Sequence, residues 1–487
     1  MDFAGLKVAV IGAGISGIGA LKLLLHLGAE TTLFDTKDFD QLSEPSKAFL
    51  NSNKDIRCIL GRGHSINDFI GQDLVVISPG VPYKSRLVSD ILKAGIPVIG
   101  ELVLACYFWK GDIIAITGTN GKSTTTMLVS TLLNKAQIAH VVAGNIGVCL
   151  CDKVLEGKTD ELAVIEVSSF QLEAMDVEHG FFIKPKVGIW LNLAPDHIDR
   201  HPSLEEYGML KARLFNMQSE DDWAVLNAKD KWIKRLTQTI SSRRAYFSLD
   251  KGDTNLSAYL SDEHTMAIDI DGYKDYRIDL SSWRLPGRHN VENLMAASIA
   301  ATIVGASQQD IEEGVKDFIP LDHRISFVGQ KDQVTFYDDS KATNVAAAIT
   351  AIKSFDNSSK PKIILIAGGL GKDEDYSPLV DVVDRLKAIV LFGKERFKIA
   401  NTLNGSAKHI DIFVLPEDLS KEEADTITEN NYSQKIMEFA VNKAFKLSEK
   451  GDIILLSPCC ASFDLFNSYA ERGDTFKQAV SSLIHSN

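Results

Sequence analysis

The chain is predicted to be a three-domain α/β protein, and three observations predict it. Short apolar runs alternate with amphipathic stretches from end to end, the pattern of βα units that build mostly parallel sheets. Two Gly-containing turns, Gly12-x-Gly14-x-x-Gly17 and Gly118-Thr119-Asn120-Gly121, each follow an apolar run and open a helix. The length of 487 residues exceeds a single core of about 100–200 residues. The expected domains are residues 1–105, 106–320 and 321–487. The first and third are Rossmann-like, and the central one is a parallel-sheet domain of the P-loop type.

Composition narrows the class. Hydrophobic residues make up 45% and charged residues 24%, the balance of a soluble globular enzyme. No apolar run approaches the ~18 residues of a membrane span, and the first residues carry no secretory pattern. The expectation is a cytoplasmic protein without membrane insertion. The six cysteines Cys58, Cys106, Cys149, Cys151, Cys459 and Cys460 lack paired C-x-x-C spacing, which argues against structural zinc and fits a reducing compartment. A formal net charge of −13 argues against nucleic acid as a partner. Any anionic ligand must then be held by local positive groups.

The first domain opens with a strand over 7–11, the Gly turn, and a helix over 18–27. A second strand over 31–34 ends at Asp35, and further strands fall at 74–77 and 97–99. A Gly-x-Gly-x-x-Gly turn with an acid one strand later is the dinucleotide fingerprint, but the same turn holds any pyrophosphate. Asp35 also reads as a turn-capping acid.

The central domain carries the most specific signal. An apolar strand over 113–116 runs into the loop, and Lys122-Ser123 opens a helix reaching about residue 134. Gly118 and Gly121, flanking Thr119 and Asn120, let backbone N–H groups face phosphate oxygens. Lys122 reaches the β/γ phosphates, and the Ser123 hydroxyl is a Mg²⁺ ligand. Ile116 stands where the general motif has its first Gly, so this is a variant loop. Strands are next expected at 162–167, 187–192 and 223–227. Glu166, near the end of the first, is placed to bind Mg²⁺. His197 follows the second, either as a metal ligand or as a solvated loop histidine.

Ser203-Leu204-Glu205-Glu206 reads as a capping box. It starts a helix whose apolar stripe runs Leu204, Tyr207, Lys211, Leu214. A lysine on that stripe either snorkels to solvent or is buried with a depressed pKa and a reactive amine. A hairpin of 266–270 and 276–280 about Asp271-Gly272 follows. The third domain has strands at 334–337, 362–367, 388–392, 410–415 and 452–457. Residues 416–434 are acidic, polar and poorly periodic, and read as a solvated insertion without chemistry.

Five segments together carry a resemblance: 117–124, 166–173, 192–201, Pro286-Gly287-Arg288-His289-Asn290-Val291-Glu292-Asn293, and Asp339-Ser340-Lys341-Ala342-Thr343-Asn344. They resemble the Mur ligases of peptidoglycan synthesis. Phe34-Asp35-Thr36-Lys37, Ser78-Pro79-Gly80, residues 456–464 and Arg472-Gly473-Asp474-Thr475-Phe476 make the members that add D-glutamate the nearest match. The matches span all three domains in order.

The resemblance implies an ATP-dependent ligase, acting as a monomer on UDP-N-acetylmuramoyl-L-alanine (UDP-MurNAc-L-Ala) and D-glutamate through an acyl phosphate. It implies Mg²⁺, as two ions, and a carbamylated lysine. Gly14, Ile15, Ser16, Asp35, Thr36, Ser78, Pro79 and Gly80 would hold the UDP part. Gly118, Thr119, Asn120, Gly121, Lys122, Ser123 and Thr124 would bind ATP phosphates. Asn290 and Asn293 would contact adenine, and Arg324 and Asp339 would reach the nucleotide from the third domain. Ser123, Glu166, His197 and the Lys211 carbamate would hold metal. Lys122, His197, Lys211, Asn145 and Glu166 would be catalytic, with Asn145 near the reacting carboxylate. Lys341, Thr343, Lys372, Ser462, Phe463 and Tyr469 would receive D-glutamate. Residues near Leu104 and Pro320 would be hinges for closure of the third domain.

Three alternatives stay open on the residues alone. A folylpolyglutamate synthase shares the central motifs but lacks a leading block such as 1–105. A nicotinamide-dependent dehydrogenase explains the first Gly turn but leaves Lys122-Ser123 unused. A non-enzymatic ATP switch leaves the motifs of the third domain unexplained.

Overall fold

The structure is a computed structural model. It describes residues 2–146, 148–196, 200–252, 255–270, 275–283, 285–319, 321–355, 362–371, 374–404 and 410–485. His197, Lys372, Pro320 and the Asp271-Gly272 turn lie outside the described residues.

Three sheets carry the chain. The first joins β1 (Lys7–Ile11), β2 (Glu30–Phe34), β3 (Arg57–Ile59), β4 (Leu74–Ile77) and β5 (Val98–Gly100) in the order β3-β2-β1-β4-β5, all parallel. The second contains β6 (Ile113–Thr117), β7 (His140–Gly144), β8 (Leu162–Glu166), β9 (Val187–Trp190), β10 (Trp223–Asn227), β11 (Arg243–Phe247), β12 (Leu256–Asp262), β13 (Thr265–Ile268) and β14 (Tyr276–Asp279). Its order is β14-β13-β12-β11-β10-β9-β6-β8-β7. The expected hairpin is β13–β14, antiparallel and added to the edge of this sheet. The third contains β15 (Ser326–Lys331), β16 (Val334–Asp338), β17 (Ile363–Gly368), β18 (Leu386–Phe392), β19 (Asp411–Val414) and β20 (Ile453–Leu456), ordered β15-β16-β20-β17-β18-β19. Among the described residues, only its β15–β16 pair is antiparallel.

Burial explains the regularity. Every residue of β4, β6, β9, β10 and β17 is buried, and each fully buried Val, Leu or Ile contributes roughly 1.5–3 kcal/mol. Helices cover both faces of parallel sheets, so their strands read as continuous apolar runs. Chain order reverses about β1 and about β6, with the Gly turns directly after these two strands. Ligands of open α/β sheets collect at such places.

The chain packs as two compact units, residues 1–282 with 292–318, and residues 283–291 with 319–487. The first unit contains the first two sheets. One hydrophobic cluster runs through it, joining Val10, Leu21 and Leu24 to Leu102, Leu104, Leu150 and Ile165. Leu104 lies inside the helix Glu101–Phe108 and is 0% exposed. This corrects the expected hinge, because a fully packed helical residue cannot serve as a free linker. In the second unit, separate clusters cover the two faces of the third sheet.

Other expectations shift locally. The first helix begins at Ile15, three residues early, since Gly14 already serves as its N-cap. Ser203 accepts from the Glu206 N–H at 3.1 Å, but the Glu206 carboxylate pairs with Lys84, so the capping box is only half formed. Within 416–434, Lys421–Ala424 is a short helix and Tyr432 begins a long one, Tyr432–Leu447. Among the described residues no helix is long and apolar enough to cross a membrane.

Candidate active site

The loop after β6 is fixed by its glycines and by the segment after β9. Gly118 and Gly121 have φ of +155° and +85°, conformations that favour glycine. A Cβ on Gly121 would come within 2.5 Å of Asn293 Oδ1, so Asn293 sits against this loop. The Asn120 N–H donates to Asn192 Oδ1 at 2.9 Å, and Asn192 Nδ2 returns a bond to the Asn120 carbonyl at 3.1 Å. Thr119 is tied to Ala194 both ways, its hydroxyl donating at 3.1 Å and accepting at 3.0 Å. Ser123 and Thr124 are buried in the first turn of the helix Lys122–Lys135.

Two lysine amines converge on this loop. Lys122 Nζ donates to the carbonyls of Gly118 at 2.9 Å and Thr119 at 2.8 Å. Lys211 Nζ donates to the same Gly118 carbonyl at 2.9 Å and lies 4.4 Å from the centre of the Tyr207 ring. Lys211 is 1% exposed, which decides between snorkelling and burial. Desolvation pushes its amine well below the usual lysine range, the Lys122 charge adds to this, and Asp196 and Glu166 oppose it.

Glu166 ends β8 and is 2% exposed. Its Oε1 accepts from Asn145 Nδ2 at 2.8 Å, and the Asn145 N–H donates to the Glu166 carbonyl at 2.8 Å. The structure therefore brings together Lys122, Lys211 and Glu166, with Asn145 on Glu166 and Asp196 within electrostatic reach. The buried oxygens of Glu166 and Ser123 are hard donors of the kind that suits Mg²⁺.

The first Gly turn has the opposite chemistry. Gly12 has φ of +102°, and a Cβ on Gly17 would fall 1.7 Å from the Gly12 carbonyl oxygen. Asp35 Oδ2 accepts from the Ala13 N–H at 2.7 Å, and Oδ1 from the Lys37 N–H at 2.9 Å. Asp35 thus acts as a clamp on the turn. Ser78 Oγ donates to the Gly12 carbonyl at 3.2 Å, joining the Ser78-Pro79-Gly80 loop to the same place. Gly14, Ile15, Thr36 and Gly80 face solvent, and Ser16 and Pro79 are half-buried.

Arg200 was not singled out by sequence reasoning. Its guanidinium donates to the carbonyls of Pro79 at 2.9 Å and Val81 at 3.2 Å, and to Glu173 Oε2 at 2.5 Å, and lies 3.9 Å over the Phe170 ring. Buried His201 shares a 3.1 Å hydrogen bond with Ser169. These residues lie inside the quoted segments 166–173 and 192–201. Their partners are distant in sequence, which hid their role.

In the second unit, Ser457 Oγ donates to Asp339 Oδ2 at 2.8 Å. Burial pushes the Asp339 carboxyl up to about 7, against the Ser457 hydroxyl and the Arg324 charge. Lys341 Nζ donates to Tyr469 Oη at 3.0 Å and lies 4.5 Å over its ring. Thr343 is half-buried, Ser462 is buried in a turn, and Phe463 is 70% exposed. Asn290 Nδ2 donates to the Pro286 carbonyl at 2.6 Å.

The MurD-like N-terminal domain model of Mur ligases matches residues 6–100, the Mur ligase middle domain matches 116–301, and the glutamate ligase domain of Mur ligases matches 323–460. A UDP-N-acetylmuramoylalanine–D-glutamate ligase of Acidobacterium capsulatum is 36% identical, over 99% of this chain and 97% of its own. One from a Thermoanaerobacter species is 37% identical, over 99% of this chain and 100% of its own. Among solved structures, a pseudomurein peptide ligase type C from Methanothermus fervidus superposes with a TM-score of 0.57 at 18% identity, covering 98% of this chain and 100% of its own. A MurF ligase from Thermotoga maritima in complex with ADP gives 0.57 at 16% identity, over 99% of this chain and 96% of its own. Those two likenesses establish the three-domain fold.

Proposed function

This chain belongs to the Mur ligase family, and from that premise we propose that it joins D-glutamate to UDP-MurNAc-L-Ala with hydrolysis of ATP, in peptidoglycan precursor synthesis. The observation that carries the reading is the full-length likeness to ligases of that name. The convergence of Lys122 and Lys211 on the Gly118 carbonyl beside Glu166 supports it.

The chemistry follows from the residues. A carboxylate is a poor electrophile, so the L-alanine carboxylate oxygen first attacks the γ-phosphorus of ATP and ADP leaves. Lys122 stabilises charge on the transferring phosphoryl group, and the loop N–H groups orient it. The D-glutamate amine then attacks the acyl carbon, phosphate departs, and the amine loses its proton. Ser123 and Glu166, with His197, would hold Mg²⁺, which when bound neutralises phosphate charge. Asn145 would orient both Glu166 and the acceptor carboxylate.

Lys211 is the residue whose proposed state is least ordinary. Burial favours its neutral amine, and a neutral amine adds CO₂ to become a carbamate, releasing a proton. The carbamate would supply an anionic oxygen where an ammonium repels a metal, and would allow a second ion. Gly14 to Ser16, Asp35, Thr36 and Ser78 to Gly80 would hold UDP, with Arg200 fixing the last of these loops. Asn290, Asn293, Arg324 and Asp339 would serve the nucleotide. Lys341, Thr343, Lys372, Ser462, Phe463 and Tyr469 would receive D-glutamate. Domain limits of 1–105, 106–320 and 321–487, a monomeric state and a cytoplasmic location belong to the same proposal. Phosphate release from ATP with UDP-MurNAc-L-Ala over a panel of amino acids tests it. Release only with D-glutamate is expected, and equal release with other amino acids would overturn it.

A further inference from the structure

Glu101, Cys149 and Cys151 form a buried cluster that the ligase chemistry does not use. Glu101 opens the helix Glu101–Phe108 directly after β5. Cys149 is the N-cap of the helix Leu150–Leu155, and Cys151 lies in its first turn. The Cys149 thiol donates to Glu101 Oε1 at 2.8 Å, and the Cys151 N–H reaches the same oxygen at 3.4 Å. The two sulfurs and a Glu101 carboxylate oxygen all lie within 4.8 Å of one another. Exposure of the three residues is 3%, 5% and 0%.

A carboxyl taken out of water calls for strong donors. Glu101 has two thiols, which are weak donors, and one long backbone N–H. Hydrogen bonding alone therefore leaves a costly group poorly compensated. The helix Ile15–His26 packs directly on the cluster, because a Cβ on Gly19 would fall 2.3 Å from Cys149 Sγ. Thiolate and carboxylate are both ligand types that zinc accepts, with Zn–S distances of about 2.3 Å and Zn–O of about 2.0–2.2 Å. The Cys151 thiol faces the Glu101 carbonyl oxygen at 3.7 Å, which offers a fourth ligand.

We propose that Glu101, Cys149 and Cys151 form a structural site for a thiophilic divalent cation, zinc foremost. It would tie the first helix after β5 to the helix that follows the Asn145 loop. Binding displaces the thiol and carboxyl protons to solvent and changes no oxidation state. Sequence analysis argued against zinc because the cysteines lack paired C-x-x-C spacing; the third ligand, Glu101, lies 48 residues from Cys149.

Full-length protein loaded with one equivalent of Co²⁺ tests the proposal by the thiolate-to-cobalt charge-transfer band, and zinc loading tests it by metal analysis after desalting. The expected result is one retained zinc, a thiolate band and a raised Tm with metal. Cys149→Ser and Glu101→Gln should each lose the retained ion and the Tm gain, whereas Cys58→Ser, at an exposed thiol, should keep both. No thiolate band and no retained zinc in the unmutated protein would overturn the site, whatever the variants do. So would a band that survives Cys149→Ser. Mg²⁺ at the phosphate loop gives no such band, so the outcome is independent of the ligase reading.

Discussion

Two strand–Gly-turn–helix units in the first compact unit share a backbone plan and differ in electrostatics. After β1, the turn's Ala13 N–H is already engaged by a carboxylate, Asp35. After β6, the loop's outward carbonyls at Gly118 and Thr119 are engaged by ammonium or amine groups from Lys122 and Lys211. An internal anion fixes the first turn, and the Lys122 ammonium, with the buried Lys211 amine beside it, engages the second. The first is suited to holding a diphosphate passively through remaining N–H groups. The second concentrates positive charge where a phosphoryl group would move. Glycines make either turn possible, and the side chains around it determine which chemistry it performs.

The sharpest way to break this contrast is to remove the second turn's cation. Lys122→Ala should lower phosphate release about 10²–10³-fold or more at saturating ATP, with the fold intact by circular dichroism. Retention of more than about a tenth of turnover would contradict the role of a transition-state charge. Lys211→Ala should give a loss of comparable size, partly restored by acetate at high concentration. Activity should also fall as pH falls, because protonation of the Lys211 amine blocks CO₂ addition. A crystal structure of the active, nucleotide-bound enzyme with a bare Lys211 ammonium would end that reading.

Smaller effects probe the first turn and the second unit. Arg200→Ala removes charged hydrogen bonds to the carbonyls after Ser78 and to Glu173. A contact of that kind is worth about 1.5–3 kcal/mol, so KM for the UDP-sugar should rise about tenfold or more with KM for ATP little changed. An equal rise in both constants would show a general structural role. Asp339 predicts a pH effect whose sign is fixed by its raised pKa. Between the ordinary 3.8 and about 7 the folded chain holds a proton that the unfolded chain has lost. This contribution to stability is present below 3.8 and is lost as pH rises through about 7. Asp339→Asn should flatten that slope in urea denaturation, and an unchanged slope would refute the burial argument. Last, calorimetry should detect UDP-MurNAc-L-Ala binding and no heat with NAD(H), since Asp35 is committed to the turn. Micromolar NAD binding would revive a dehydrogenase.

Continuous burial made much of the fold legible. β4 and β10 match the expected strands residue for residue, because their positions are apolar up to the terminal Asn227 of β10 and the runs have no competing period. β3, β7, β11, β12 and β15 were not anticipated. β3 is three residues with two exposed, β11 begins with Arg243-Arg244, and β15 is an edge strand with no buried position. Such strands form because a neighbour offers hydrogen bonds, and local composition carries little trace of that. The site divides the same way. The apolar stripe that Lys211 shares with Tyr207 and Leu214 marked it as either snorkelling or buried, and the structure shows burial. Arg200 and Asn192 did not, since their partners lie 121 and 72 residues away in sequence.

The continuous core of the first compact unit has one more consequence. With Leu104 packed inside it, the span from the turn at Gly12 to the loop at Gly118 becomes a fixed length belonging to the protein. On the proposed assignment of the two turns, a substrate anchored by its diphosphate at one end would meet the phosphoryl donor only if its own reach equalled that length. The unit is then a caliper: a shorter carrier falls short of the loop and a longer one overshoots it. Substrate choice would then begin as a measurement, before any side chain reads the chemical groups along the way.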